Sequence, residues 1–169
     1  LRHAIDARQF VLHFQPKFDA TNGRLVGAEA LIRWNHPVEG LVSPAEFIPV
    51  LEDTGLLVDV GRWVMAEAIA TVQAWRQHHP GLRLAVNVSA RELRHADFLD
   101  ACRELLAPFG GDAPIDIEIT EGVIVDDVEQ SVQLLQALRA LGCRIAIDDF
   151  GTGYSSLNYL VRLPVDTLK

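Results

Sequence analysis

Arg144-Ile145-Ala146-Ile147-Asp148-Asp149-Phe150-Gly151-Thr152-Gly153-Tyr154-Ser155-Ser156-Leu157 opens as a short apolar run and breaks into two carboxylates and a glycine-bracketed loop rich in hydroxyls. The run from Arg144 to Asp148 reads as a buried strand, so the acids stand at its C-terminal end. Adjacent carboxylates at a strand end repel each other unless a cation or a proton intervenes. Alone, such a pair is a solvated turn with glycine punctuation. Its meaning depends on what other strands bring to the same place.

Two earlier strands bring polar residues in step. Over Ile115–Thr120, Ile115, Ile117 and Ile119 face one side and leave Asp116 and Glu118 on the other. Over Leu82–Val88, Ala85 and Asn87 oppose Leu84 and Val86, just as Ala146 and Asp148 oppose Ile145 and Ile147. Asn87, Glu118 and Asp148 therefore share one type of face near C-terminal strand ends, at intervals of about 30 residues. Core packing does not account for three such residues, because buried carboxylates need partners. Parallel α/β barrels build their sites at that end, so the spacing points to a metal or catalytic cluster rather than scattered structural acids.

Helical patterns separate these strands. One runs over about 90–107, and another carries Val128, Val132, Leu135 and Leu138 as its stripe, with Gly142 where a C-cap stands. Ser155–Arg162 reads as helix and Pro164–Lys169 as the start of a further strand. Upstream, a short helix over Leu1–Gln9 precedes strands Phe10–Phe18 and Leu25–Trp34, which form a hairpin about Thr21-Asn22-Gly23. Helices follow over Pro44–Thr54 and Leu57–His79, the longer one buried along Met65, Ala68, Ile69, Val72 and Trp75. Strand-helix alternation of this kind implies one α/β domain of parallel strands covered by helices.

The 169 residues suffice for a sizeable core, and a composition 49% hydrophobic and 22% charged is that of a globular domain. A net charge of -8 argues against a general DNA or anionic-membrane binder. Metal ions and a few local Arg or Lys residues can still admit a phosphate substrate. Cys102 and Cys143 form neither a metal-spaced motif nor a disulfide framework, which fits a reduced, cytoplasmic setting. No apolar run reaches transmembrane length, so no direct membrane insertion is expected of this segment. The chain opens at Leu1 and stops at Lys169 inside a strand-like run, so a larger multidomain protein, soluble or membrane-anchored, is expected around it.

Taken together, these blocks resemble the EAL domain family of bacterial cyclic di-GMP phosphodiesterases. Its naming motif stands as Glu29-Ala30-Leu31 inside Gly27-Ala28-Glu29-Ala30-Leu31-Ile32-Arg33-Trp34. Leu12-His13-Phe14-Gln15-Pro16-Lys17, Pro44-Ala45-Glu46-Phe47-Ile48-Pro49 and Glu52-Asp53-Thr54-Gly55 match flanking blocks. Asn87-Val88-Ser89, Glu118-Ile119-Thr120-Glu121 and the stretch from Asp148 to Leu157 follow in order. The resemblance implies a TIM-type (β/α)8 barrel with an antiparallel first strand. About 250 residues are usual for such a barrel, so this chain is expected to stop at the start of its sixth strand. A further glutamate ligand would lie beyond it.

The resemblance also implies roles. Glu29, Asn87, Glu118 and Asp148 are ligands of a first divalent metal, and Asp148 bridges to a second, which Asp149 also binds. Lys169 holds the attacking water, so Lys169, Glu29 and Asp148 carry catalysis. Gln15, Leu31 and Arg33 contact substrate, and Glu121 braces the loop after Asp149. Hard oxygen donors suit Mg²⁺ or Mn²⁺, and a metal pair generates a nucleophile and stabilises both oxygens of an in-line displacement. The implied reaction is hydrolysis of cyclic di-GMP to linear 5′-pGpG. Implied partners are cyclic di-GMP, a possible second copy as homodimer, and linked sensor or diguanylate cyclase domains.

One departure is Glu92, where the family often has glutamine; a carboxylate cannot donate, which puts a substrate contact there in doubt. An inactive EAL-type cyclic di-GMP receptor is the alternative, and an enolase-like barrel a more distant one. Asp126-Asp127 reads as helix-opening acids, His78-His79 as a helix end, and His13 and His36 as strand or loop residues. Trp63 and Trp75 read as packing, and Glu52 stands between site support and surface charge.

Overall fold

In the computed structural model the expected hairpin is present: β1 (Phe10–Phe18) pairs antiparallel with β2 (Leu25–His36). The structure describes residues 1–120, 122, 128–149 and 162–169. They fall into two compact units, Leu1–Leu84 and Ala85–Lys169. The helix read over Ser155–Arg162 lies largely outside the described residues, as do Glu121, Asp126, Asp127 and the stretch from Phe150 to Leu157.

In the first unit, α1 (Arg2–Asp6) leads into the hairpin. Asp19 shapes its turn: one carboxylate oxygen accepts from the Thr21 N–H at 2.8 Å and the other from Asn22 Nδ2 at 3.0 Å. Bonds from the Thr21 hydroxyl and N–H hold the Asp19 carboxyl below the usual carboxylate range. β2 runs two residues past the expected Trp34 and turns back into β3 (Gly40–Val42), which the residue pattern did not announce. His36 makes that turn, its Nδ1 accepting the Glu39 N–H at 3.1 Å, while Gly40 takes a φ of +76°.

One face of the hairpin carries Phe10, Phe14, Ala28, Ala30 and Trp34, and it packs on α2 (Pro44–Thr54) and α3 (Leu57–Arg76). Phe10 meets Phe47 at 5.5 Å and Trp63 at 6.4 Å between ring centroids, and Phe14 meets Trp75 at 4.8 Å. Both tryptophans are thus packing residues. Met65, Ala68, Ile69 and Val72 are buried as their spacing predicts. The helix ends at Arg76 rather than His79, because Pro80 disfavours helix in the residue before it. Within this unit Gly27 lets β2 approach Arg83, the first residue of β4 (Arg83–Asn87), since a Cβ there would stand 2.6 Å from the Arg83 carbonyl oxygen.

In the second unit the strands follow in the order β4, β5 (Ile115–Thr120), β6 (Arg144–Asp148) and β7 (Thr167–Leu168). β5–β6 and β6–β7 are parallel. Ile115, Ile117, Ile119, Ile145 and Ile147 are at most 1% exposed, each contributing about 1.5–3 kcal/mol of burial. The helix expected over 90–107 is divided into α4 (Ala90–Leu93) and α5 (Phe98–Leu106), followed by a 3₁₀ turn over Ala107–Phe109. α6 (Val128–Ala140) buries Leu135 and Leu138 and ends as expected at Gly142, whose φ is +91°. The strand expected over Pro164–Lys169 pairs only at Thr167 and Leu168. Proline has no N–H for a ladder, and the Val165 N–H turns back to the Leu163 carbonyl.

Candidate functional site

In the first unit, pairing sets Gln15 directly opposite Glu29, His13 opposite Leu31 and Val11 opposite Arg33. Alternation therefore puts Gln15, Glu29, Leu31 and Arg33 on the hairpin face turned away from the aromatic packing. Glu29, Leu31 and Arg33 are half-buried, and Arg33 Nη1 donates to the Ile32 carbonyl at 2.8 Å.

In the second unit, Asn87 ends β4 and is exposed. The next residue's N–H, from Val88, donates to the Glu118 carbonyl at 2.8 Å, which puts the end of β4 beside Glu118. On β5, Glu118 is 1% exposed, the most deeply buried charged residue described. Register sets Glu118 beside Ala146 and Thr120 beside Asp148, so Glu118 and Asp148 share a face one pleat repeat apart. Asp148 Oδ1 accepts the Asp149 N–H at 3.0 Å. Asp149 adopts a φ of +55°, a conformation aspartate tolerates better than most residues, and it turns the backbone directly after the acid pair.

Lys169 completes the geometry. Its N–H donates to the Ile147 carbonyl at 2.9 Å, so it follows Leu168 in register on β7. Its ammonium forms an ion pair with Glu118 Oε1. β5 and β7 are two strand spacings apart, about 10 Å, and two long side chains are needed to bridge them. Between them lies Ala146, whose methyl group leaves the path open. A carboxylate this deeply buried requires such compensation, and an ammonium placed on it marks a position that favours a cation.

The donor chemistry fits a divalent metal. Asn87, Glu118, Asp148 and Asp149 offer only oxygen donors as side-chain ligands from adjoining strand ends, which suits a hard cation. Among the described residues, however, no three His, Cys, Asp or Glu side chains gather as a ligand group. A cavity of about 300 Å³ lies elsewhere, lined by Leu93, Arg94, His95, Leu99, Gln130 and Leu134 among others, and none of the predicted site residues borders it.

Glu92 is explained locally. Its Oε2 accepts the Ser89 N–H at 2.9 Å and its own N–H donates back to Ser89 Oγ at 3.2 Å, closing a capping box at the start of α4. Glutamine serves equally in that motif, so the capping box accounts for a Glu or Gln at this position. The signal was in the sequence as Ser89-Ala90-Arg91-Glu92.

The EAL domain family model matches residues 1–169. The chain belongs to the EAL domain family. This EAL chain is 45% identical over 171 residues to the bifunctional diguanylate cyclase/cyclic di-GMP phosphodiesterase MucR of Pseudomonas aeruginosa, covering 100% of the chain and 25% of that protein. It is 40% identical over 170 residues to the cyclic di-GMP phosphodiesterase PdeR of Escherichia coli, covering 100% of the chain and 26% of PdeR. The EAL chain thus spans about a quarter of the length of these curated relatives. A solved PaMucR phosphodiesterase in complex with c-di-GMP superposes with a TM-score of 0.93 at 44% identity, covering 99% of the EAL chain and 68% of that chain. The fold is accordingly α/β of the TIM-barrel type with an antiparallel first strand.

Proposed function

We propose that this EAL domain is a metal-dependent phosphodiesterase that hydrolyses cyclic di-GMP to linear 5′-pGpG. The observation that carries the reading is the buried Glu118 carboxylate paired with the Lys169 ammonium, beside Asp148-Asp149 at the strand ends. The names of MucR and PdeR support the substrate.

EAL phosphodiesterases are divalent-metal enzymes, and we propose Mg²⁺ or Mn²⁺ as a pair. Glu29, Asn87, Glu118 and Asp148 would hold the first ion, with Asp148 and Asp149 at the second. When bound, the ions lower the pKa of water and stabilise the oxygens of the displacement. The chain's own residues do the rest. Lys169 donates a hydrogen bond that fixes the attacking water, and Arg33 grips a phosphate oxygen by a charge-assisted bond. Gln15 and Leu31 position the nucleotide, and Glu121 braces the loop after Asp149.

We further place the domain in the cytoplasm, joined to sensor or diguanylate cyclase domains and paired as a homodimer. The two cysteines support the compartment, being buried and free of disulfide, and the quarter-length match to MucR supports the joined domains. Among the described residues no helix is long and apolar enough to cross a membrane.

The test is turnover of cyclic di-GMP by the full chain with Mg²⁺ or Mn²⁺, beside Asp148→Asn. Linear 5′-pGpG from the wild type, abolished in a variant that keeps its circular dichroism, supports the reading. Tight nucleotide binding without turnover assigns the domain to the receptor class instead.

A further inference from the structure

Asp166 ties three elements together, and no role in the site has been given to it. Its N–H donates to the Ile145 carbonyl at 2.8 Å, and its Oδ2 accepts the Ile145 N–H at 2.9 Å. Its Oδ1 accepts from Nη2 of Arg139, in the last turn of α6, at 3.1 Å. The start of β7, the start of β6 and the end of α6 therefore meet on one carboxylate.

β7 needs such a hold. Its ladder with β6 begins only at Thr167. On its N-terminal side no ladder fixes it to β6, because Pro164 lacks an N–H and the Val165 N–H is spent on Leu163. The Asp166 carboxylate stands in for the strand carbonyl that the Ile145 N–H would otherwise meet. Register is what places Lys169: a slip of one residue along β6 would turn its side chain to the opposite face, away from Glu118.

We propose that Asp166 is the positioning residue for Lys169, pinning the register of β7 on β6, with Arg139 holding the carboxylate in place. Its kinetic consequence rests on the phosphodiesterase reading. Asp166 touches neither substrate nor reacting atoms; it acts through the strand. Displacing the Lys169 ammonium by about 1 Å lowers kcat on the order of 100-fold, with KM for cyclic di-GMP unchanged.

The experiment compares D166A, D166N, R139M, K169M and D166A/K169M in the full chain, with Mn²⁺ and cyclic di-GMP. Amide hydrogen exchange at Ile145 and Lys169 is read on the same proteins. The expected result is a large kcat loss in D166A, partial rescue in D166N, which keeps an acceptor for the Ile145 N–H, and a smaller loss in R139M. In the K169M background D166A adds no further loss, whereas a purely structural role multiplies the two effects. Lys169 amide exchange accelerates in D166A. Multiplicative losses or unchanged exchange at Lys169 overturn the proposal. If D166A does not fold, D166N and R139M carry the same comparison. A wild type that leaves cyclic di-GMP uncut sinks the phosphodiesterase reading alone, and exchange at Lys169 then decides the positioning role in either direction.

Discussion

Lys169→Met, measured with chelator present, isolates the energetic content of the Glu118 pair. Methionine keeps the length and apolar stem of lysine and removes only the ammonium, so the change in packing is small. Stripping one partner from a fully sealed ion pair destabilises by about 3–5 kcal/mol. Glu118 is sealed at 1% exposure, but the Lys169 side chain is 30% exposed, so water can reach part of the space the ammonium leaves. The expected loss is therefore reduced to about 2 kcal/mol, or about 4–8 °C in Tm for a chain of this size. Glu118→Gln keeps the shape and removes the charge. In the double variant the unpaired carboxylate is gone, and about 1–2 kcal/mol of the K169M loss should return as a coupling term. Urea unfolding of the four proteins, followed by circular dichroism, gives that term directly. Losses that add within about 0.5 kcal/mol would refute the reasoning, because the pair would then be a proximity without energy.

Gly142→Ala should destabilise strongly: the φ of +91° alone disfavours a side chain by about 1–2 kcal/mol, and a Cβ would stand 2.3 Å from the Gly111 carbonyl oxygen. Thermal unfolding checks it against Gly110→Ala, a positive-φ glycine with open space around its Cβ position. Glu92→Gln should change stability by less than about 0.5 kcal/mol because the capping box survives, whereas Glu92→Ala should lose about 1 kcal/mol; urea midpoints separate the two. Burial, with a smaller push from Glu92, raises the Cys102 thiol from 9.0 to about 12. The unfolded chain then releases this proton first, so stability present below pH 9.0 should fall as pH rises towards about 12. Cys102→Ala should flatten that slope in unfolding measured across the same range.

Much of the fold can be read from local pattern because its elements are strongly periodic. The isoleucines of β5 and β6 alternate, and Met65, Ala68, Ile69 and Val72 repeat at helical spacing, so type and facing followed from single positions. Element ends were less legible where a neighbour or a side-chain bond decides them. β3 depends on the His36 ring accepting backbone N–H groups, and β7 depends on the Asp166 carboxylate. The break between α4 and α5 leaves no proline or glycine in the sequence to announce it.

For the candidate site the division runs along the same line. Period two by itself placed Glu118 and Asp148 on one face and near one end, because alternation is a property of a single strand. The naming motif Glu29-Ala30-Leu31 and the Asp148-Asp149 pair were equally visible as sequence. The residue that neutralises Glu118 was not derivable from spacing, since the Lys169 pair spans two strand spacings and depends on how far β7 slides along β6. The positive φ of Asp149, the opening over Ala146 and the clamp from Arg139 to Asp166 likewise arise only when strands and helix are set side by side. Periodicity specifies which way a side chain faces; the partner it meets is specified by register, which is a property of neighbouring strands together.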